Sequence, residues 1–437
     1  LFHRFGGTIW YNLQMKNVLN LTCVICGKEY APKQVAYVCP DHRYEGILDV
    51  RYNYDRIAHR LNRDDLAANA EQTIWRYRDL MPVLPNSTVP PLAVGWTPLY
   101  QTPTLAAQLG LQDVWVKDDG RNPTGSFKDR ASAIAVVKAQ EQNAQIITTA
   151  STGNAAAALA GICASVGQAN VIFVPASAPQ AKIAQLLTYG STVMLVDGTY
   201  DDAFELCLQA ADEYGWYNRN TGFNPYMTEG KKSVSFEVAE QLAWQAPDVV
   251  FVSVGDGCII GGVHKGFKDL KALGWISHMP RLIGVQAAGS NYLAEAWHKQ
   301  QDPLTKPAID AHTVADSISA GLPRDRIKAM AAITETNGAF ITVSDAEILA
   351  AVPALARASG VFAEPAGAAA YAGLVAAVEQ KMVDVNERIV LINTGNGLKD
   401  VQGAMSAVET IGTKAHQVST SFADVERVLQ QIRIQVD

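Results

Sequence analysis

From about residue 146 onward, short apolar blocks alternate with longer stretches whose apolar positions recur at helical spacing. The blocks predict strands over 145–149, 169–174, 191–196, 248–254, 281–286 and 388–392, with an earlier one over 113–117. The periodic stretches predict helices over 131–139, 153–166, 180–189, 201–214, 260–273, 345–359 and 365–379. Strands that are apolar throughout, each followed by a helix, imply parallel sheets covered on both faces. The predicted class is α/β, with two open parallel-sheet, three-layer domains. In such sheets ligands bind at the carboxyl ends of the strands.

The first ninety residues read differently. Residues 64–80 have helical spacing with many charges, and 81–91 form a Pro-rich linker. The predicted organisation is a small cysteine-bearing segment (15–50), a helical arm and linker (51–94), a large domain (95–130 with 216–402), a smaller domain (131–215) and a tail (403–437). Met15-Lys16 reads as a natural start, so residues 1–14 read as a leader or upstream read-through.

Charge and composition narrow the classes. The net charge of −7 argues against nucleic acid as the main partner. No apolar run is long enough to span a bilayer, and no signal-peptide progression opens the chain. Membrane and nucleic-acid partners are therefore not expected. The cysteines do not form a disulfide framework, so a cytoplasmic location is expected.

Three of the six cysteines lie in the first forty residues. Cys23 and Cys26 form one C-x2-C knuckle, and Cys39 and His42 form a C-x2-H knuckle. Three thiolates and an imidazole at this spacing suit a structural zinc ion, which four protein ligands would close to substrate. A reduced loop or a ribbon that folds without metal is the alternative.

Four further stretches carry candidate chemistry. Asn122-Pro-Thr-Gly-Ser-Phe-Lys-Asp-Arg130 places Lys128 between a predicted strand and helix, where a desolvated amine can act as a Schiff-base nucleophile. Ser151-Thr-Gly-Asn154 opens an Ala-rich helix and suits a carboxylate or phosphate. Ser253-Val-Gly-Asp-Gly-Cys-Ile-Ile-Gly-Gly262 follows a strand, and Gly255 and Gly257 let its backbone fold closely around a phosphate. Asn393-Thr-Gly-Asn-Gly397 ends the last strand and offers the Thr394 hydroxyl. Singly, each fits an ordinary turn or helix cap. Their order along the chain is what strengthens them.

That order, with the Lys128 motif and the terminal Asn-Thr-Gly-Asn-Gly, resembles the fold-type II pyridoxal-phosphate enzymes, and within them the threonine synthase family. The resemblance runs from about residue 20 to residue 402. It implies a pyridoxal 5′-phosphate cofactor bound through Lys128, with Asn154 on its 3′-hydroxyl. It further implies that Gly255, Asp256, Gly257, Cys258 and Ile259 cradle the cofactor phosphate and that Thr394 faces the pyridine nitrogen. Ser151, Thr152 and Gly153 would hold the carboxylate of a small amino-acid substrate, and residues 131–215 would cap it. The implied reaction converts O-phospho-L-homoserine and water to L-threonine and phosphate. Relatives commonly pair as homodimers.

One position departs from the family pattern. Asn224-Pro-Tyr-Met227 carries methionine where the family has a phosphate-gripping arginine. Lys231 and Lys232 lie near enough in sequence to compensate, or form a solvated helix start. The departure keeps two alternatives open: a threonine/serine ammonia-lyase, which Glu364-Pro-Ala-Gly367 and Ala315-Asp316 also resemble, and β-replacement on O-phosphoserine as in cysteate synthase. The non-enzymatic alternative is a metal-dependent binding protein on an inactive fold, which the intact Lys128 opposes.

Overall fold

A computed structural model describes residues 15–432, apart from 152, 177 and 179. Residues 1–14 and Thr152, which carry two of the expectations above, lie outside the described residues.

The first sheet is small and antiparallel. Strand β1 (Val18–Cys23) lies between β2 (Glu29–Tyr30) and β3 (Leu48–Tyr52). Leu21, Leu48, Val50 and Tyr52 join the main apolar core, so this unit is packed onto the body. Between it and the body, the single helix expected over 64–80 is broken in two. A short helix, Arg63–Ala68, is followed by a 3-10 segment, Ile74–Leu80. Arg76 explains the break, because its guanidinium turns back to the carbonyls of Leu66, Asn69 and Glu71. A continuous helix would have consumed those acceptors internally.

The largest sheet has six strands. It contains β4 (Leu99–Gln101), β5 (Asp113–Asp118), β10 (Val249–Ser253), β11 (Arg281–Ala287), β12 (Ala339–Val343) and β13 (Arg388–Asn393), in the order β12-β11-β10-β13-β5-β4. All pairs are parallel except β4 with β5. Alternate side chains feed opposite layers. Val250, Val252, Val390 and Ile392 join one core, whereas Val249, Phe251, Ile389 and Leu391 join the other. The helix Pro365–Glu379 fills the second layer with alanines, which lets it lie close to the sheet.

The remaining sheet has four strands, β6 (Ile146–Ala150), β7 (Ala169–Pro175), β8 (Thr192–Val196) and β9 (Tyr217–Asn218), all parallel and ordered β8-β7-β6-β9. Its two faces are covered in the same manner. Val171 and Phe173 meet Phe204, Cys207 and Leu208 on one side, and Ile172 and Val174 meet Ala156, Ala160 and Leu186 on the other.

Several elements carried no expectation. They include edge strands β4, β9 and β12 and the helices Tyr226–Lys231, Ser233–Gln241 and Arg326–Glu335. Among the described residues, no helix is long and apolar enough to cross a membrane.

Candidate active site

Four strand ends converge. The loop after β5 leads to Lys128, that after β6 to Ser151 and Asn154, that after β10 to Gly255–Ile259, and that after β13 to Thr394. This is where parallel sheets present ligands.

Lys128 is the first residue of the helix Lys128–Glu141. Burial lowers the pKa of its amine, with Arg219 acting the same way and Glu364, Cys258 and Asp256 opposing. The other motif residues are scaffold. Asp129 accepts from the backbone N–H of Thr124 at 2.7 Å and from its hydroxyl at 2.5 Å, and Asn122 accepts from the Gly95 N–H at 2.9 Å. Arg130 is fully buried and bonded to Asp119 and Glu237. The turn therefore holds its shape without Lys128, leaving the amine free to react.

Asn154 opens the helix Asn154–Val166, and its amide donates to Glu364 at 2.7 Å and Ser317 at 3.3 Å. Glu364 was not among the expected site residues. Burial, reinforced by Asp316, pushes its carboxyl up to about 7 against the pull of Lys128. Ser151 turns its hydroxyl onto the Gly153 N–H at 3.2 Å, so that turn is partly closed on itself.

The loop from Gly255 to Ile259 ends at the helix Cys258–Ala272. Gly257 has φ +86°, a left-handed conformation that favours glycine. The loop's first helical bond runs from the Gly261 N–H to the Gly257 carbonyl at 3.0 Å, so the N–H groups of Cys258, Ile259 and Ile260 face outward from the helix start. Asp256 accepts the Arg324 N–H at 3.2 Å. Burial raises the Cys258 thiol well above its ordinary pKa, which suits packing and not reactivity.

The segment after β9 corrects the expectation for the two lysines. Lys231 and Lys232 are both fully buried, not a solvated helix start. The reason is the packing of their helix, Tyr226–Lys231, between Lys128–Glu141 and Cys258–Ala272. Lys232 is neutralised by Glu229 at 2.7 Å and Asp269 at 2.6 Å and has a structural role. Lys231 is not; burial pushes its amine down to about 8, and nearby Arg219 and Lys128 act in the same direction. Met227 is an apolar core residue.

Arg219 was missed by the sequence reading. It directly follows the two-residue strand β9, whose pairing with β6 continues through the bond from the Arg219 N–H to the Thr148 carbonyl at 2.9 Å. A strand so short leaves almost no apolar signature, but its carboxyl end is where a ligand residue belongs.

These features fit pyridoxal phosphate. A desolvated lysine amine and outward N–H groups at a glycine-shaped helix start are the groups that an aldehyde-bearing, anionic cofactor needs. The model of the pyridoxal-phosphate dependent enzyme family matches residues 91–395, and the chain belongs to that family. The chain is 38% identical over 388 residues to the threonine synthase of Methanocaldococcus jannaschii, covering 89% of this chain and 94% of that one. It is 40% identical over 333 residues to the threonine synthase of Synechocystis, covering 75% and 84%. These relatives place it among the threonine synthases. A solved threonine deaminase from Solanum lycopersicum superposes with a TM-score of 0.61 at 24% identity, over 72% of this chain and 83% of that one, a likeness of fold.

The second candidate site lies in the first sheet. The ligand atoms of Cys23, Cys26, Cys39 and His42 all lie within 4.8 Å of one another. Thiolates about 2.3 Å from a tetrahedral ion stand about 3.8 Å apart, so small side-chain rotations would close the four on one zinc. About one zinc per chain is expected by metal analysis. Cys26 is the exposed member, so Cys26→Ser removes a ligand with little packing loss. That variant should lose the metal and melt earlier; metal-free protein of unchanged melting temperature would refute a structural zinc.

Proposed function

We propose that the protein converts O-phospho-L-homoserine and water to L-threonine and phosphate. The observation that carries this reading is the half-buried Lys128, its amine pKa lowered by desolvation, at the meeting of four strand-end loops in a chain spanning 94% of a threonine synthase's length. Pyridoxal phosphate, when bound, supplies the electron sink that stabilises a carbanion at the substrate α-carbon.

Lys128 would hold the cofactor through its carbonyl carbon, and its amine would take and return protons at the substrate α-carbon. Its lowered pKa supports this role, because an uncharged amine is the reactive form. The outward N–H groups of Cys258 and Ile259, with the Gly255–Gly257 turn, hold the cofactor phosphate. Asn154, held in orientation by Glu364, would bond the cofactor 3′-oxygen. Thr394, buried beside the motif turn through its carbonyl bond to the Phe127 N–H at 2.9 Å, would offer a neutral hydroxyl to the pyridine nitrogen. Ser151, Thr152 and Gly153 hold the substrate carboxylate, and binding exchanges the Ser151–Gly153 bond for bonds to that carboxylate. The sheet from β6 to β9 and its helices cap the bound substrate.

Two further parts of the reading concern context. A homodimer is supported by the exposed apolar side chains of Leu398, Val401 and Met405, a patch suited to burial against a second copy. A cytoplasmic site of action is supported by six unpaired thiols.

The test is a parallel assay of O-phospho-L-homoserine, L-threonine, L-serine and O-phospho-L-serine, following phosphate, threonine and 2-oxo acids. Threonine and phosphate from phosphohomoserine are expected in equal amounts. A 2-oxo acid from threonine, with phosphohomoserine inert, would give the site to ammonia-lyase chemistry instead.

A further inference from the structure

Five lysines and arginines rank among the largest fully buried side chains: Lys117, Arg130, Arg219, Lys231 and Lys232. Three of them have carboxylate partners. Lys117 pairs with Glu237 at 2.7 Å, Arg130 with Asp119 and Glu237, and Lys232 with Glu229 and Asp269. Among the described residues, Arg219 and Lys231 have none. Their bonds go to hydroxyls alone. Arg219 donates from Nε to Ser132 at 3.2 Å and from Nη1 to Thr221 at 3.1 Å. Lys231 donates to the same Thr221 oxygen at 3.4 Å. The second terminal nitrogen of Arg219 is buried with no partner.

Burying a cation without a counter-charge is costly, and burying two side by side adds their repulsion. A sequence keeps such a pair where an anion completes it. Serine and threonine hydroxyls around the pair match a multivalent oxyanion, which accepts from both cations and from hydroxyls at once.

We propose that Arg219 and Lys231, with the Thr221 and Ser132 hydroxyls, form the subsite for the phosphate group of the substrate, replacing the arginine that is absent at position 227. This rests on the phosphohomoserine reading above. The N–H groups of the helix start at Cys258 are donors for the cofactor phosphate, and both cations lie close to that helix start, so the proposed subsite adjoins the cofactor phosphate without being needed to hold it. The planar guanidinium can present its unpartnered nitrogen to one phosphate oxygen, while Lys231 supplies a point charge. Phosphate binding also keeps Lys231 protonated, since burial and the neighbouring cations otherwise lower its pKa.

The test compares the holoenzyme with its Arg219→Met and Lys231→Met forms. Methionine keeps the apolar stem and removes the charge. In Arg219→Met, KM for O-phospho-L-homoserine should rise about 10- to 150-fold, the loss expected for a charged hydrogen bond. Pyridoxal phosphate affinity should change less than about two-fold, well under the loss of one hydrogen bond. Without phosphate, both variants should melt no earlier than wild type, because an unpaired buried charge has been removed. A fall in cofactor affinity with unchanged KM would assign the pair to the cofactor and overturn the proposal. Unchanged KM and unchanged cofactor affinity would overturn it as well. If wild type leaves phosphohomoserine untouched, the functional reading fails by itself, and titration with inorganic phosphate decides the subsite. Binding in wild type that disappears in Arg219→Met would uphold the subsite; equal binding in all three proteins would refute it.

Discussion

Lys128→Ala is expected to reduce threonine formation by about 10³-fold or more, since proton transfer by a positioned group alone contributes about 10²–10⁴-fold. Neither Lys231 nor Lys399 is placed to take its role. Lys231 lies on another helix beside Arg219, and Lys399 is tied to the Thr124 carbonyl at 3.2 Å and to Gln185 at 2.9 Å. A second readout does not depend on turnover. Borohydride reduction of the holoenzyme should fix one cofactor mass to the peptide that contains Lys128, and the alanine variant should show none. The substitution removes a half-buried group whose charged form was disfavoured by desolvation, so folding should be preserved. A variant that folds, binds pyridoxal phosphate and retains wild-type turnover would show that another group carries the chemistry.

The second large effect concerns stability. Glu237→Gln is expected to lower stability by about 3–5 kcal/mol, the usual cost of removing one partner from a buried ion pair. Glu237 is fully buried between two cations, Arg130 at 2.5 Å and Lys117 at 2.7 Å. Without its charge, Asp119 alone remains to balance both. Burial by itself would raise the Glu237 pKa, but Arg130 and Lys117 overcome that and hold it down at about 2. A carboxyl lowered in the folded state stabilises fully above its unfolded pKa of about 4.3, and that contribution is lost as pH falls toward 2. The gap between wild type and Glu237→Gln in denaturation midpoint should therefore be constant near neutrality and narrow below about pH 4.3. A gap that stays constant down to pH 2 would contradict this assignment.

The motif that was most legible in the sequence owes its length to this network. Of the residues 122–130, Lys128 is the one we propose to bind the cofactor. Asn122, Asp129 and Arg130 brace the turn from behind. Strands such as β10 and β13 were readable because unbroken apolar runs are needed where both faces are covered. The edges were harder to read. Strand β9 has only two residues, and β4 runs antiparallel on the rim, so neither needs a long apolar run.

Side-chain pairing was the other gap. Two adjacent lysines, Lys231 and Lys232, look equivalent as sequence, yet one meets two carboxylates and the other meets none. Their difference depends on Glu229, Asp269 and Arg219, which only the packing of separate helices brings together. Glu364 lies in a stretch that resembles dehydratases, but its bond to Asn154 spans 210 positions and no local pattern announces it.

The small antiparallel sheet at the start of the chain has a consequence for synthesis. Tyr52 donates to Glu229 across 177 positions, and Arg326 reaches Glu45 across 281. At about 5–20 residues per second, the ribosome needs about 10–35 seconds to deliver the nearer of these partners and longer for the farther. Throughout that interval the sheet is already outside with its docking face uncovered. Its Asp49 carboxylate lacks its Lys265 partner, and the Leu48 carbonyl lacks the Lys328 amine, until those residues emerge. A metal-clamped sheet can wait in folded form, whereas an unclamped one would expose three short strands to pairing with other chains. The four-ligand cluster thus bears on yield during production, and zinc-starved cells should accumulate this protein as aggregate even where the finished enzyme tolerates chelation.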